Sequence, residues 1–353
     1  MSVFLDHTAI IKVFLLTTLS FIVTIVWTPL LTHFLYKYKL SKKIRVDGAT
    51  PVFSKLHAKK SGTPTMGGIL IWVTTVVLAV GISILAQSTG WKIFHWLNFL
   101  TRPQTLLPLG ILVLAALVGL VDDFFNIRRI GPKGGGLSIR HRLFMYTLVA
   151  LVGAWWFFFK LDWDLLHIPF FGDFNIGVWY IPIFIFVIVA TSFSVNEIDG
   201  LDGLAGGTLL AAFTAFGAIA YAQGRVELAA FCGVIGGALL AFLWFNIPPA
   251  RFFMGDTGSM SLGVTLGVVA LLTNTALLLP IIGLLLVVES GSVILQLAWR
   301  RIYKKKLFLS SPFHHHLEAI GWPEQKIVMR FWVIAAVMAV LGVALYLVQS
   351  SYS

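Results

Sequence analysis

Residues 226–245 read VELAAFCGVIGGALLAFLWF, a run of twenty residues with one charged side chain, Glu227. A helix that crosses the hydrocarbon core of a bilayer needs about 20 apolar residues, so this run predicts a membrane-spanning helix. Nine similar runs occur at 9–36, 66–87, 105–121, 143–159, 178–194, 207–222, 259–276, 278–299 and 327–348. The sequence therefore predicts an all-α, polytopic membrane protein with about ten transmembrane helices, in which residues 1–353 form a single domain.

The composition supports this prediction. Of the 353 residues, 58% are hydrophobic and only 12% are charged, and the mean hydropathy is +0.90. Such a chain has too little polar surface for a soluble globule of this size. A transmembrane β-barrel would show alternating segments of about ten residues instead of continuous apolar runs. The boundary between the eighth and ninth spans, near Thr273-Asn274-Thr275, is the least distinct.

The positions of the basic residues predict the orientation. Twenty of the 26 lysines and arginines fall in loops on one side of this topology, and only four fall in the opposite loops. Loops rich in lysine and arginine remain in the cytoplasm, which places both termini in the periplasm. The net charge of +11 thus has a topological explanation, and nucleic acid is not an expected partner.

Five polar segments fall on the predicted cytoplasmic side. They are residues 57–68, 122–123, 196–203, 246–259 and 311–318. Polar islands at one surface of a chain that is otherwise apolar indicate chemistry on a charged, water-borne substrate, in a cleft that opens to the cytoplasm.

Asp122 and Asp123 are predicted to end the third span, at a helix C-terminus. The helix dipole disfavours carboxylates there, so a structural role alone would favour lysine. Carboxylate oxygens suit a hard cation such as Mg²⁺, and one of the pair could act as a base. The alternative is a solvated start of the following loop.

Asp256 precedes an apolar helical run, so a helix N-cap is one interpretation, because aspartate is a preferred residue there. Gly255 and Gly258 would also allow close backbone approach, and a helix N-terminus offers amide donors to a phosphate. The same two interpretations, cap or turn residue and nucleotide contact, apply to Asp199 and Asp202.

The run His314-His315-His316 cannot converge on one point, because successive residues of a helix diverge by about 100°. One or two of the three are expected to contact a substrate. Zinc is a poor candidate, since no cysteine accompanies the histidines. Phosphate binding, with charge neutralised by histidine, Lys60 and Mg²⁺, fits the residue types better.

Five segments together resemble a known family. HAKKSGTPTMGG (57–68), GLVDDF (119–124), NEIDGLDGLAGG (196–207), FLWFNIPPARFFMGDTGS (242–259) and SPFHHHLEAIGWPE (311–324) resemble the successive signatures of the phospho-N-acetylmuramoyl-pentapeptide transferase (MraY) family. The aspartate motifs are shared with the wider superfamily of polyprenyl-phosphate N-acetylhexosamine-1-phosphate transferases. The unbroken histidine run and GTPTMGG favour the muramoyl-pentapeptide branch.

The resemblance implies an activity and a location. The family transfers phospho-MurNAc-pentapeptide from UDP-MurNAc-pentapeptide to undecaprenyl phosphate, a membrane lipid, and produces lipid I and UMP for peptidoglycan synthesis. It implies Mg²⁺ as cofactor, the bacterial cytoplasmic (inner) membrane as location, and a homodimer as a possible assembly.

The resemblance also implies roles for individual residues. Asp256 matches the aspartate that binds Mg²⁺, Asp123 supports the metal and the diphosphate, and Asp122 matches the base or orienting group for the lipid phosphate. His314 is expected to contact a phosphate and His315 the nucleoside side. Phe253 matches an aromatic residue that can stack on uracil. The other implied substrate-binding positions are Lys60, Thr65, Asn196, Asp199, Gly200, Leu201, Asp202, Asn246, Ser259 and Gln296.

Two positions depart from the family pattern. Asn126 and Arg142 stand where the family commonly has lysine. Arginine keeps the charge but presents a planar fork instead of a point charge, so we expect phosphate recognition at residue 142 but not a role that needs lysine itself.

Two alternatives to this activity remain open from the sequence. A related enzyme could transfer simple GlcNAc-1-phosphate to the lipid. A membrane transporter is the second alternative, but transporters place ionisable groups at mid-membrane, and Glu289 is the main such residue in this chain.

Overall fold

The computed structural model describes residues 7–41, 60, 62–102, 104–131 and 135–352. Within these ranges the chain forms thirteen α-helices and one β-hairpin. The helices are α1 His7–Lys37, α2 Ile69–Thr89, α3 Lys92–Leu97, α4 Leu106–Arg128, α5 Ile139–Lys160, α6 Tyr180–Ile198, α7 Leu204–Ala222, α8 Val226–Asn246, α9 Gly255–Leu272, α10 Leu279–Ile282, α11 Leu284–Tyr303, α12 Phe313–Ala319 and α13 Glu324–Tyr352.

The predicted all-α polytopic membrane fold is confirmed. Nine helices of the described chain are long and apolar enough to cross a membrane, and a bent pair brings the number to ten when it is counted as one span. Each predicted apolar run coincides with one of these elements. The periplasmic position of both termini stays a prediction.

The ninth span is not the straight helix that the apolar run 278–299 suggests. The segment Ala276–Ile282 and the helix Leu284–Tyr303 meet at an angle of 83°. Pro280 lies in the first turn of α10 and Gly283 separates α10 from α11, and proline and glycine are the usual causes of sharp helix bends. The bend turns α11 so that its buried face carries Glu289 and Gln296.

Helix α9 lies at the centre of the bundle, and every one of its residues is buried. Its neighbours α4 and α6 approach closely through glycines. A side chain at Gly119 of α4 would collide with the carbonyl of Asp256, and one at Gly263 of α9 would lie 2.7 Å from Cα of Ser192 on α6. Small residues at such crossings let helix backbones pack tightly in a membrane. The crossing brings polar residues of three spans to one place.

The end predicted for the third span was wrong. Helix α4 continues to Arg128, so Asp122 and Asp123 lie within the helix and not at its C-terminus. The helix can continue past its apolar run because both carboxylates find hydrogen-bond donors inside the protein. The argument from an unfavourable helix dipole at these two residues therefore loses its basis.

The sequence did not reveal a short hairpin between α5 and α6. Strands β1 (Leu165–Ile168) and β2 (Gly172–Asn175) pair antiparallel, with Leu165 opposite Asn175. The hairpin follows the C-terminus of α5, so it lies at the opposite end of that helix from Arg142. It leaves the all-α class of the fold unchanged.

Candidate active site

Three aspartates from two helices form a buried acidic cluster. Asp122 and Asp123 lie on α4 and Asp256 lies in the first turn of α9, and none of them is more than 3% exposed. Buried carboxylates need partners, because an unpaired buried charge costs several kcal/mol. The partners show what the cluster is built to hold.

Asp122 is paired with a cation. Nε of Arg142 donates to its Oδ2 at 2.7 Å, and the backbone N–H of Leu137 donates to its Oδ1 at 2.6 Å. Both carboxylate oxygens are thus engaged within the protein, which suits an anchoring role for Asp122.

Asp123 is held against the turn that carries Asp256. The backbone N–H of Thr257 donates to Asp123 Oδ2 at 3.0 Å, and the hydroxyl of Thr65 donates to Oδ1 at 3.4 Å. Gly255 has a φ of +76°, and a Cβ there would lie 2.6 Å from Oδ2 of Asp123. Glycine is needed here for both the backbone conformation and the close approach.

The carboxylate of Asp256 accepts from two amides and lies beside a guanidinium. Nδ2 of Asn196 donates to Oδ1 at 2.8 Å, Nδ2 of Asn126 donates to Oδ2 at 3.2 Å, and Nη2 of Arg142 lies 3.4 Å from Oδ1. The N-cap residue of α9 is Met254. The N-cap interpretation of Asp256 is therefore wrong, and its side chain serves the polar cluster.

Arg142, in the first turn of α5, connects the parts of this cluster. In addition to its contacts with Asp122 and Asp256, its Nη1 donates to Oδ1 of Asn196 at 2.9 Å. The amide of Asn196 continues the network to Oγ of Ser259 at 3.1 Å. Only a planar fork with several donors can reach three partners in this way, so lysine could not reproduce the arrangement.

The donor set suits Mg²⁺. In the described part of the chain, no group of three or more histidine, cysteine or acidic side chains is arranged as a metal site. Mg²⁺ does not need one, because it is usually bound through one or two carboxylates, with waters and substrate phosphates as the other ligands. Asp123 and Asp256 supply hard oxygens on adjoining elements, and three carboxylates against one guanidinium leave a net negative charge.

A second charged cluster joins three distant segments. Nζ of Lys60 lies 2.7 Å from Oδ1 of Asp202 and 2.5 Å from Oε1 of Glu324, at the start of α13. The backbone N–H of Asp202 also donates to Glu324, at 2.8 Å, and Oδ2 of Asp202 accepts from the N–H of Ala250. Lys60, which was predicted to neutralise a phosphate, is thus paired with two carboxylates, and the sequence did not indicate the part that Glu324 plays.

The loop between α6 and α7, residues 199–203, contains four of the predicted substrate-binding residues, of which Asp199 and Asp202 were predicted to contact the nucleotide. Asp199 caps the end of α6 and, like Gly200, is partly exposed, whereas Leu201 is buried and can offer a ligand little more than its backbone. Gly203 has a φ of +80°, and its N–H donates to Oδ1 of Asn246 at 2.9 Å. Asn246 therefore positions this loop.

Phe253 lies in the segment that connects α8 to α9. Its backbone N–H donates to the carbonyl of Pro64, and its carbonyl accepts from Gly67, both at 2.8 Å. These bonds fix the backbone while the ring remains partly exposed. A ring held in this way is available for stacking.

The three histidines of the run diverge, as predicted. His314 is fully buried against Glu289, and Nδ1 of His315 lies 2.6 Å from Oε2 of Glu318. Nδ1 of His316 accepts from the N–H of Leu309 at 3.3 Å.

Gln296 has a position that the sequence did not suggest. Its side-chain oxygen accepts from the N–H groups of Leu307 and Phe308, and its amide donates to the carbonyl of Phe308. Gln296 holds the backbone of the loop after α11, so all of these contacts are made within the protein.

The structure thus brings the predicted residues into three groups. The acidic cluster contains Asp122, Asp123, Asp256, Asn196, Thr65 and Ser259. The second group contains Lys60 and Asp202, near the loop that Asn246 holds. The third group is His314 with its partner Glu289. His57, Ala58, Lys59 and Ser61 of the first motif, and residues 132–134, lie outside the described residues.

The sequence did not predict a site role for four residues that contact the predicted site residues. Asn126 and Arg142 stood out as departures from a family pattern, Glu289 as an isolated charge in a span, and Glu324 only as the end of a motif. A charged residue in an apolar run is itself a signal, because such residues are expensive in a membrane and are usually paired.

The chain is similar to known proteins along most of its length. Residues 105–274 match the model of glycosyl transferase family 4, and residues 60–71 match signature 1 of the phospho-N-acetylmuramoyl-pentapeptide-transferases. A relative with that name from Chloroflexus aggregans is 38% identical, and the alignment covers 96% of this chain and 91% of the relative. Relatives with the same name from a Geobacillus strain and from Thermodesulfovibrio yellowstonii are 38% and 37% identical, over 92% of this chain and 95% and 89% of their own lengths.

Proposed function

The chain belongs to the phospho-N-acetylmuramoyl-pentapeptide-transferase family, and on this premise we propose that the acidic cluster around Arg142 is its catalytic centre. The chain transfers phospho-MurNAc-pentapeptide from UDP-MurNAc-pentapeptide to a polyprenyl phosphate, and so forms lipid I for peptidoglycan synthesis. We further propose that the lipid is undecaprenyl phosphate, that the membrane is the bacterial inner membrane, and that the chain works as a homodimer.

The reaction exchanges one phosphoanhydride for another. An oxygen of the lipid phosphate attacks the β-phosphorus of the UDP-sugar, a new P–O bond forms, and the bond to the UMP oxygen breaks. UMP leaves with the electron pair of that bond. Because the number of anhydride bonds is unchanged, the transfer needs no ATP.

Catalysis of this transfer is chiefly a problem of charge and alignment. Two phosphate groups must approach each other, and positioned cations are the usual means of stabilising the charge that develops. Arg142 holds such a charge between Asp122 and Asp256. Asn196 and Asn126 keep the carboxylate of Asp256 oriented from two sides.

We assign Mg²⁺ binding to Asp256 and Asp123. A bound Mg²⁺ would neutralise charge on the diphosphate and polarise its P–O bonds. Asp123 is held in place by Thr257 and Thr65, which keeps its carboxylate beside the turn that carries Asp256. Asp122 is assigned as the anchor of Arg142 and the orienting group for the lipid phosphate.

The nucleotide is assigned to the loop of residues 199–203, with Phe253 stacked on the uracil ring. The fixed backbone of Phe253 and its partly exposed ring support this assignment. Lys60 is ion-paired with Asp202 and Glu324, so we assign it to shaping this loop. His314 is assigned to a phosphate and His315 to the nucleoside side.

The observation that carries the proposal is the convergence of α4, α5, α6 and α9 on one buried network of three carboxylates and a guanidinium. The test is UMP release by purified protein in detergent with Mg²⁺, undecaprenyl phosphate and UDP-MurNAc-pentapeptide. Release is expected only when all three are present. If UDP-GlcNAc supports UMP release in this assay and UDP-MurNAc-pentapeptide does not, the chain belongs with the related GlcNAc-1-phosphate transferases. Absence of UMP release with either donor would overturn the proposal.

A further inference from the structure

Glu289 is a fully buried carboxylate within a membrane-spanning segment, a costly position unless it is paired. Both of its oxygens face a single residue. Oε1 accepts from the backbone N–H of His314 at 3.2 Å, and Oε2 lies 2.9 Å from Nδ1 of the same residue. The carboxylate therefore holds both the backbone and the ring of His314.

This geometry determines which ring nitrogen carries a proton. A carboxylate only accepts hydrogen bonds, so Nδ1 of His314 must be the donor. The ring is then either the neutral form with its proton on Nδ1 or the imidazolium. In the neutral form Nε2 is a hydrogen-bond acceptor, and in the imidazolium it is a donor.

The other nitrogen, Nε2, is buried and has no hydrogen-bond partner among the described residues. It lies against Gly200, because a Cβ at residue 200 would collide with it. Nε2 is thus directed at the loop assigned to the nucleotide. Besides Glu289, the titratable groups near the ring are Glu197 on α6 and the neighbouring His315.

We propose that Glu289 is a positioning residue that holds His314 with Nδ1 as donor, so that the imidazolium form donates from Nε2 to an anionic group of the substrate at the loop of residues 199–203. This inference rests on the proposed function, because it names the support of a residue assigned to a phosphate. Glu289 acts only through His314. The arrangement parallels carboxylates that orient histidines in metal sites, whose removal typically costs about 10–100-fold in activity or affinity.

The substitution Glu289→Gln tests the proton assignment directly. The glutamine oxygen can keep the bond from the backbone N–H of His314, but its NH₂ group then faces Nδ1. Nδ1 must become an acceptor, and the ring proton moves to Nε2. ¹⁵N NMR of histidine-labelled protein, with His314→Gln to assign the signal among nine histidines, should show Nδ1 protonated in the wild type and unprotonated in the variant. A wild-type Nδ1 without a proton, or an unchanged signal in Glu289→Gln, would overturn the inference.

A double-mutant cycle tests whether Glu289 acts through His314. Glu289→Gln alone should lower turnover about 10–100-fold, by the precedent above. In a His314→Gln background it should have no further effect. Ser290→Ala is the matched control, since it removes a bond from the neighbouring residue of α11 to Ser194 of α6 and leaves the Glu289–His314 contact in place, and it should keep normal turnover. Equal losses from Glu289→Gln in both backgrounds would assign Glu289 a merely structural role.

Gly200→Ala is an independent probe of Nε2. Gly200 has no positive φ, so alanine is tolerated by the backbone but its methyl group would displace the ring. Gly200→Ala should reduce turnover as much as His314→Gln does, and combining the two substitutions should cause no further loss. A fully active Gly200→Ala would contradict the assignment of Nε2.

The proton assignment by NMR needs no turnover. Absence of UMP release by the wild type would therefore refute the proposed function alone, whereas a wrong proton position in an active enzyme would refute only this inference.

Discussion

Arg142 and Asp122 form an ion pair, with Nε 2.7 Å from Oδ2, and Asp256 contacts the same guanidinium. The pair fixes the plane of the guanidinium and directs Nη1 and Nη2 at Asn196 and Asp256. The positive charge is therefore placed before any substrate arrives. Such preorganisation is the main source of electrostatic catalysis.

The first prediction concerns Arg142→Lys. Lysine keeps the charge but cannot contact Asp122, Asn196 and Asp256 together. Loss of one charge-assisted hydrogen bond costs about 1.5–3 kcal/mol, which corresponds to roughly a 10–100-fold lower kcat/KM. The measurement is the initial rate of UMP release. Arg140→Lys is the control, because Arg140 is exposed in the same turn of α5, and it should remain active. Full activity of Arg142→Lys would mean that only the charge at residue 142 matters.

The second prediction concerns Asp256→Asn and Mg²⁺. The amide preserves the volume and one acceptor for Asn196, so the fold should survive, but the hard anionic oxygen is lost. Turnover should fall by at least tenfold, with a higher Mg²⁺ concentration needed for half-maximal rate. A Mg²⁺ titration of the rate checks this. Asp173→Asn, on the exposed β2 strand of the hairpin, should titrate like the wild type. A normal Mg²⁺ response of Asp256→Asn would exclude Asp256 as a ligand.

The third prediction tests the helix crossing that positions Asp256. Alanine at Gly119 would collide with the carbonyl of Asp256, whereas alanine at Gly110 of the same helix meets open space. Forcing a methyl group into a tight contact typically costs about 1–3 kcal/mol. Gly119→Ala should therefore lower both the apparent Tm in detergent and the turnover, and Gly110→Ala should lower neither. An active and stable Gly119→Ala would show that α4 and α9 can separate without harm to the site.

The transmembrane fold was predictable because the bilayer demands long apolar helices. All ten runs were found, since an apolar stretch of this length has few other uses. The bend at Gly283 was not predictable, because the run is apolar on both sides of Gly283 and hydropathy does not report the angle between two helical segments. The hairpin at residues 165–175 was missed because its strands have only four residues each and lie in a connection between two spans, where membrane hydropathy does not indicate strands.

The candidate site was predictable in its residue types and less so in its partnerships. The sequence placed Asp122, Asp123 and Asp256 on the same cytoplasmic side, and the family resemblance implied that they share a site. It could not show that Arg142 would be paired with carboxylates instead of held ready for phosphate, because contacts between helices depend on packing. Gln296 illustrates the same limit, since a polar residue near a site can be used by a neighbouring loop.

The fourth prediction concerns topology and rests on the bias of basic residues between the loops. Cysteines introduced at Ser138 and Ser310 should react with a membrane-impermeant maleimide only when the cytoplasmic face is opened. A cysteine at exposed Phe171 in the hairpin should react from the periplasm in intact cells, as should tags at both termini. The native Cys232 is buried and provides a silent background. A C-terminal tag accessible only from the cytoplasm would mean that the bent ninth segment does not cross the membrane.

The last prediction is mechanistic and concerns Asp122. A phosphomonoester has a second pKa of about 6, so the lipid phosphate is mostly a dianion at neutral pH and needs charge neutralisation more than a base. In Asp122→Asn the amide NH₂ would face Nε of Arg142, two donors would oppose each other, and the guanidinium would be displaced. Turnover should fall at least tenfold and should not recover at higher pH, and Arg142→Lys should add little to the loss. Recovery at high pH would instead identify Asp122 as a proton acceptor.

If transfer is direct, protein incubated with UDP-MurNAc-pentapeptide and no lipid acceptor should carry no phospho-MurNAc-pentapeptide adduct by mass spectrometry. An adduct on Asp122 or Asp123 that added acceptor consumes would establish a two-step reaction.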